Sequence, residues 1–325
     1  MRKYVYLVPQ IASPIAAPLR ERGFEVVIGD GTYSKELLAN CWAIVPARPP
    51  LTAEIIADAP NLKLVCKKGV GVDRIDIDAC TERGICVANT PFSNYISVAE
   101  HTITLLLACA KRLNQMIQYV KCEDPDWNRI NKLHPTEIYG KTLSVIGLGH
   151  IGMHTAKLAM GLGMKVLAYV RHPEKLELPE GIELASSMDD ALSRGDFVSL
   201  HVSGSAGNRN LIGARELALM KPSAILINTT RGFVVDEEAL YTALTTGQIA
   251  GAGLDVFVKE PIDISNPFLS LDNVVATPHR GGYTDEASSR GYMECADIIA
   301  DFAAGKHPET AVNQVPITNW RLNDE

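Results

Sequence analysis

The sequence predicts an α/β protein built from two doubly wound, mainly parallel sheets, and three observations carry that prediction. Short apolar runs alternate with helical patterns from residue 4 to 90, and a second such series begins near residue 142. A glycine-rich turn, Gly147-Leu148-Gly149-His150-Ile151-Gly152, joins the apolar run Thr142-Leu143-Ser144-Val145-Ile146 to a helical pattern starting at Met153. With 325 residues and 46% hydrophobic content, the chain can fill two cores.

In the first series strands fall at 4–8, 24–28, 43–45, 63–66 and 85–88, with candidate helices between them. Ser97-Val98-Ala99-Glu100 has the form of a capping box, which predicts a long helix from Ser97 through Leu113 or beyond, leading out of the first domain. Residues 122–129 are polar and broken by Pro125. The second series supplies strands at 142–146, 165–169, 196–201, 224–228, 253–256 and 273–277. Asp236-Glu237-Glu238 starts a helix, its acids matching the positive end of the helix dipole. Residues 317–325 read as a surface tail. The domain expectation is a substrate-binding domain of residues 1–96 with a C-terminal return at 290–325, and a dinucleotide-binding domain of residues 97–289.

A formal net charge of −7 argues against nucleic acid or an anionic membrane as the main partner. The seven cysteines are odd in number, form no C-x-x-C pair, and follow no secretory leader, so reduced thiols in a cytoplasm are expected. Each reads as a small buried apolar residue, and no metal is expected. The most apolar helix candidate, around 104–110, is too short to span a bilayer.

The glycine turn carries the first functional reading. Gly147 permits a tight turn, Gly149 lets backbone approach a pyrophosphate, and Gly152 lets helix and strand pack closely, while the helix N-terminus offers N–H groups to the anion. Open parallel sheets bind ligands at the carboxyl ends of their strands. Three polar residues come after such strands: Arg231, Glu260 and His279. Arg offers a planar fork to a carboxylate, His exchanges a proton, and Glu beside His orients the ring and favours its charged form. Those are the parts a 2-oxo acid reductase needs, in a cleft between the domains. Taken singly each has a duller explanation as a solvated loop residue, and the three gain weight by occurring together.

The chain resembles the D-isomer-specific 2-hydroxyacid dehydrogenase family, including its phosphoglycerate dehydrogenases and glyoxylate/hydroxypyruvate reductases, over nearly its whole length. The segments that carry the resemblance are Lys68-Gly69-Val70-Gly71-Val72-Asp73, Ser97-Val98-Ala99-Glu100-His101, the glycine turn, Asn228-Thr229-Thr230-Arg231-Gly232, Gly253-Leu254-Asp255-Val256-Phe257 with Glu260-Pro261, and Thr277-Pro278-His279. The resemblance implies a Rossmann nucleotide domain inserted in a flavodoxin-like substrate domain. It implies a catalytic triad of Arg231, Glu260 and His279, with N–H groups of Gly69, Val70 and Gly71 gripping the substrate carboxylate. It further implies that Asp255 holds the nicotinamide carboxamide and that Thr102, His201, Thr229 and Thr230 line the cofactor beside Gly147, Gly149, His150, Ile151 and Gly152. His101 and His154 read as ordinary helix residues, and His150 matters through its backbone. A homodimer is implied, paired through the helix beginning near Ser97 and the arm after it.

Two departures bear on specificity. NAD-preferring members carry an acid after the second strand of this domain, whereas here Tyr169 is followed by Val170, Arg171 and His172. Arg171 can pair with a 2′-phosphate, so NADP is the expected cofactor and NAD the alternative. Pro46 and Lys67 stand where phosphate-binding arginines would be expected, so phosphoglycerate is not the favoured substrate. The leading function is hydride transfer between a nicotinamide cofactor and a 2-oxo acid/D-2-hydroxy acid pair. The alternatives are a nucleotide-sensing, corepressor-like binding protein on the same fold and, less favoured, formate oxidation.

Overall fold

The apolar runs become parallel strands in two sheets of five and seven. A computed structural model describes residues 3–7, 9–46, 49–124, 126–175 and 177–316. The expected strand residue Val8, Arg48 and the expected tail at 317–325 lie outside these.

The first sheet forms from β1 (Tyr4–Leu7), β2 (Glu25–Ile28), β3 (Cys41–Val45), β4 (Leu64–Lys67) and β5 (Cys86–Asn89), joined by α1 (Pro9–Glu21), α2 (Lys35–Ala39), α3 (Ala53–Ala57) and α4 (Ile77–Glu82). All pairs are parallel, in the order β2-β1-β3-β4-β5. Alternate residues enter two separate cores: Val5, Ala43, Leu64 and Cys86 one, and Tyr6, Ile44, Val65 and Val87 the other. Burial on both faces is why β1, β3, β4 and β5 read as apolar runs, whereas the edge strand β2 has no buried residue.

The second sheet is preceded by α5 (Tyr95–Ala110), α6 (Leu113–Lys121) and α7 (Trp127–Ile130). Its strands are β6 (Thr142–Ile146), β7 (Lys165–Tyr169), β8 (Ile182–Leu184), β9 (Phe197–Leu200), β10 (Ile225–Asn228), β11 (Gly251–Leu254) and β12 (Val274–Ala276). Helices α8 (His150–Gly161), α9 (Met188–Arg194), α10 (Ala214–Leu219) and α11 (Glu237–Thr245) connect them. In the order β12-β11-β10-β9-β6-β7-β8 the winding reverses between β6 and β9. The carboxyl ends of those two strands form the switch point where doubly wound sheets take ligands.

The last helix, α12 (Asp285–Ala303), places Tyr292, Cys295, Ala296, Ile299 and Phe302 in a core of the first sheet. The chain accordingly forms two units, Met1–Asn94 with Tyr283–Glu325, and Tyr95–Gly282. The return at 282/283 lies ahead of α12, whereas the expected 289/290 falls inside that helix.

Three sequence expectations need correction. The capping box is not a helix start: α5 begins at Tyr95, and Ser97 lies buried within its first turns. A turn closed by Ser93 Oγ on the Thr90 carbonyl at 2.9 Å ends just ahead of it. The helix does not run through Leu113, because Arg112 takes a left-handed backbone (φ 54°) and separates α5 from α6. Strand β8 has no counterpart among the expected strands. It is a three-residue edge strand whose residues are half-buried or exposed, so no apolar run marks it.

Candidate active site

At the switch point the three glycines of the turn do different work. Gly147 has φ 97°, and a Cβ there would lie 2.7 Å from the His201 carbonyl oxygen. A Cβ at Gly152 would lie 2.2 Å from the Gly147 carbonyl oxygen, so helix α8 packs onto the turn only with glycine there. A Cβ at Gly149 would meet nothing within 4 Å. That position faces open space at the N-terminus of α8, whose N-cap is Gly149 itself, with no side-chain cap. The first turn of a helix directs backbone N–H groups outward from its N-terminus, and beside open space they form a cradle suited to a pyrophosphate. His150 and Ile151 open the helix and contribute that backbone.

His201, just past β9, closes the floor of the turn. Its Nε2 lies 2.8 Å from Ser199 Oγ, and its Nδ1 is buried without a partner. Burial pushes the imidazole down to about 3, so it is neutral at physiological pH. Thr102 on α5 and Thr229 after β10 are both buried, with their hydroxyls 3.0 Å apart. Thr230 is held by the Asn228 carboxamide oxygen, which accepts from its N–H and its hydroxyl at 3.0 Å each.

The acid–base group lies in the same unit. His279 Nδ1 is 2.8 Å from Glu260 Oε2, and the Phe257 N–H donates to Glu260 Oε1 at 3.2 Å. A carboxylate on Nδ1 orients the ring and leaves Nε2 as the nitrogen that can face a reacting group. Arg231 donates from Nη1 to the Thr230 carbonyl at 2.7 Å. Its loop adjoins the Glu260 loop through Gly232, where a Cβ would lie 2.0 Å from the Phe257 carbonyl carbon. Gly204 gives the Arg231 side chain room, since a Cβ there would be 3.0 Å from Arg231 Cγ.

Asp255 organises the His279 loop. Its Oδ1 accepts from Thr277 Oγ1 at 2.6 Å and the Arg280 N–H at 2.9 Å, and its Oδ2 accepts from the Gly281 N–H at 2.9 Å. Its own carbonyl accepts from the His279 N–H at 2.7 Å. Burial acts to raise the carboxyl's pKa, but hydrogen bonds from His101, Thr277, Arg280 and Gly281 outweigh it and hold the group below the usual range. These bonds keep His279 at φ 54°, a left-handed conformation costing a non-glycine residue roughly 1–2 kcal/mol.

Residues 103–281 match the family model described as D-isomer specific 2-hydroxyacid dehydrogenase, NAD binding domain. The chain belongs to the D-isomer specific 2-hydroxyacid dehydrogenase family. It is 39% identical over 312 residues to a D-3-phosphoglycerate dehydrogenase of Methanocaldococcus jannaschii, covering 94% of this chain and 59% of that one. It is 40% identical over 287 residues to a glyoxylate reductase of Korarchaeum cryptofilum, covering 86% and 85% of the two chains. The chain thus spans about three fifths of the phosphoglycerate dehydrogenase it matches. An acyclic imino acid reductase solved with NADPH and D-Arg superposes with a TM-score of 0.84 at 29% identity, over 96% of this chain and all of that one.

Within this dehydrogenase-family chain, one expected contact is taken by the protein itself. The Gly69 N–H donates to Thr90 Oγ1 at 2.7 Å, so of the three N–H groups expected to grip a carboxylate only those of Val70 and Gly71 remain. The Val70 carbonyl is held by Asn89 Nδ2 at 2.8 Å. Arg171 lies exposed just past β7 and donates to Asn208 Oδ1, whose Nδ2 donates to the Ser203 carbonyl at 2.9 Å. His101, read from sequence as an ordinary helix residue, is 2.9 Å from Thr277 Oγ1 and 3.3 Å from Asp255 Oδ1. Its only sequence signal was its place in the Ser97-to-His101 family segment.

Proposed function

We propose that the chain is a nicotinamide-dependent oxidoreductase interconverting a 2-oxo acid and a D-2-hydroxy acid. The observation that carries this reading is the Glu260-held His279, 2.8 Å from its carboxylate, in the unit that also presents Arg231 and the glycine cradle. When bound, the nicotinamide supplies or accepts the hydride at the substrate's second carbon. Arg231 binds the acid end and polarises the adjacent carbonyl, a task suited to its planar fork. His279 hands a proton from Nε2 to the carbonyl oxygen in reduction and recovers it in oxidation, while Glu260 keeps the ring in register. Gly147, Gly149, His150, Ile151 and Gly152 would hold the pyrophosphate, with Thr102, His201, Thr229, Thr230 and Asp255 around the rest of the cofactor. Val70 and Gly71 supply backbone donors to the substrate carboxylate.

For the cofactor we propose NADP over NAD. The reading is supported by Val170, which cannot accept from ribose hydroxyls, and by the exposed Arg171, a cation hydrogen-bonded to Asn208 that would suit a 2′-phosphate. The family model is of an NAD-binding domain and the imino acid reductase was solved with NADPH, so relatives stand on both sides. We further propose a homodimer. Helix α6 buries none of its residues and exposes Leu113, Ile117 and Val120 along one face, while an apolar groove of about 430 Å³ runs between Ile103, Leu107, Leu158 and Leu162. All seven cysteines are unpaired thiols, which suits a reducing cytoplasm, and no described helix is long and apolar enough to cross a membrane.

Absorbance of NADPH and NADH during steady-state turnover of glyoxylate, pyruvate, hydroxypyruvate and an aryl-pyruvate tests the reading. Consumption dependent on a 2-oxo acid and abolished in His279→Ala is expected. Tight nucleotide binding without turnover of any of them would instead favour the binding-protein alternative.

A further inference from the structure

Lys68 directly follows β4 and opens the Gly69-Val70-Gly71 loop. Its ammonium lies 4.3 Å from the ring centroid of Tyr292 and 5.8 Å from that of Tyr283. Its stem runs along Gly291 on α12, where a Cβ would be 3.0 Å from Lys68 Cγ and 3.4 Å from Cδ. A side chain at Gly291 would therefore crowd the lysine stem, which would have to give by a few tenths of an ångström. Tyr292 is buried and Tyr283 is half-exposed, so the ammonium is clasped on one side and open on the other.

What this cation lacks is a counter-ion. Among the described residues, no carboxylate lies within ion-pair distance of it. Aromatic faces attract an ammonium without neutralising it, so the charge stays available to a second partner. Burial lowers the lysine's pKa, the sign of a cation removed from water without full compensation. The adjoining loop, meanwhile, has one donor fewer than expected, because the Gly69 N–H serves Thr90.

We propose that Lys68 is an anion-binding residue of the first unit, held ready by Tyr283 and Tyr292 to take an anionic group of the acid that the Gly69–Gly71 loop receives. This rests on the 2-oxo acid reading, and the anion is either the carboxylate common to all such acids or a second carboxylate or phosphate at the far end. Lys68 is a specificity determinant in the second case and a general binding residue in the first.

The test uses the full chain with Lys68→Met and Lys68→Arg. One charge-assisted contact corresponds to roughly a ten- to hundredfold change in affinity. Lys68→Met should therefore raise KM by about tenfold or more with kcat within threefold, and Lys68→Arg should recover most of the loss. A rise with pyruvate and oxaloacetate alike assigns the common carboxylate. A rise confined to oxaloacetate or a phosphorylated 2-oxo acid assigns the distal group. Unchanged KM with every acid, or an equal loss in Lys68→Arg, overturns the proposal. If the unmodified protein reduces no 2-oxo acid, the functional reading fails, and calorimetry with oxalate and with inorganic phosphate still decides on Lys68. Binding of at least one of them at least tenfold weaker in Lys68→Met supports the anion site, and equal binding of both removes it.

Discussion

Gly232→Ala isolates the packing that brings the candidate catalytic residues together. Gly232 lies outside the left-handed region, so alanine suits its backbone and only the added Cβ acts. That atom would lie 2.0 Å from the Phe257 carbonyl carbon and 2.3 Å from the Val258 nitrogen, against ordinary contacts of 3.4–4 Å. The two segments must therefore part by at least about 1.4 Å. One carries Arg231, and the other carries Phe257, whose N–H holds Glu260, which in turn holds His279. A misplacement of about 1 Å at a reacting centre can cost on the order of a hundredfold in rate. We expect kcat to fall by about a hundredfold, with a loss of about 1–3 kcal/mol in stability from overpacking. Cofactor affinity should fall less than kcat, since the cradle at Gly147–Gly152 is built from other segments and only the neighbouring Thr229, Thr230 and Asp255 lie in the displaced ones. Steady-state kinetics, cofactor fluorescence titration and thermal melts measure the three. A variant with wild-type kcat and melting temperature would refute the argument that this contact sets the spacing of Arg231 and Glu260.

Other perturbations separate the parts of the site. His279→Ala should lower kcat by roughly a hundred- to ten-thousandfold and leave cofactor affinity nearly intact, as read by turnover and fluorescence titration, because it removes a proton donor. Arg231→Gln should raise KM for the oxo acid as well as slow turnover, so an unchanged KM would mark Arg231 as no substrate ligand. Arg171→Ala should remove most of any preference for NADPH, a loss of about ten- to a hundredfold in kcat/KM for that cofactor alone. Gly149→Ala should fold with wild-type stability yet bind either cofactor more weakly, since its Cβ meets no protein atom and projects into the cradle. His201, held neutral down to about pH 3 against an ordinary 6.5, makes folding acid-sensitive, because the unfolded chain takes up the proton first as pH falls. At pH 5 that preference costs about 2 kcal/mol, so urea melts should show His201→Asn losing less stability than the parent between pH 7 and 5.

Much of the fold was legible because its strands are buried on both faces. β3, β5, β9 and β10 are covered along their whole length, so each appears as an apolar run with nothing polar to interrupt it except the buried Ser199 and the strand-end Asn89 and Asn228. Where burial is partial the signal goes. β8 has no fully buried residue, and its place at the sheet edge comes from pairing with β7, which no local pattern encodes. The break between α5 and α6 is similarly silent, since Arg112 is neither glycine nor proline. The capping box misled because S-x-x-E describes a local hydrogen-bonding option, and here both Ser97 and Glu100 lie inside a helix that begins at Tyr95.

At the site, legibility divided along a different line, between residues placed just after a strand and residues that approach from elsewhere. Gly147, Arg231, Glu260 and His279 each lie beyond the carboxyl end of a strand, and the topology of a doubly wound sheet places such positions on one edge. Proximity across the chain has no such signature. Gly232 looks like any loop glycine until its clash with Phe257 is measured, and His101 looks like a helix residue until Asp255 and Thr277 reach it. Lys68 is the instructive case, because its place before the Gly69 loop was plain in the sequence while its character was not. A lysine there would ordinarily be solvated or paired. Only the tyrosines contributed from the far end of the chain, and the glycine between Arg290 and Tyr292 that lets the stem pass, turn it into a half-buried cation without a counter-ion. Specificity in this molecule is therefore sought where the returning C-terminal segment meets the strand ends of the first sheet, since that meeting holds the loop's own lysine as a half-buried charge without a counter-ion.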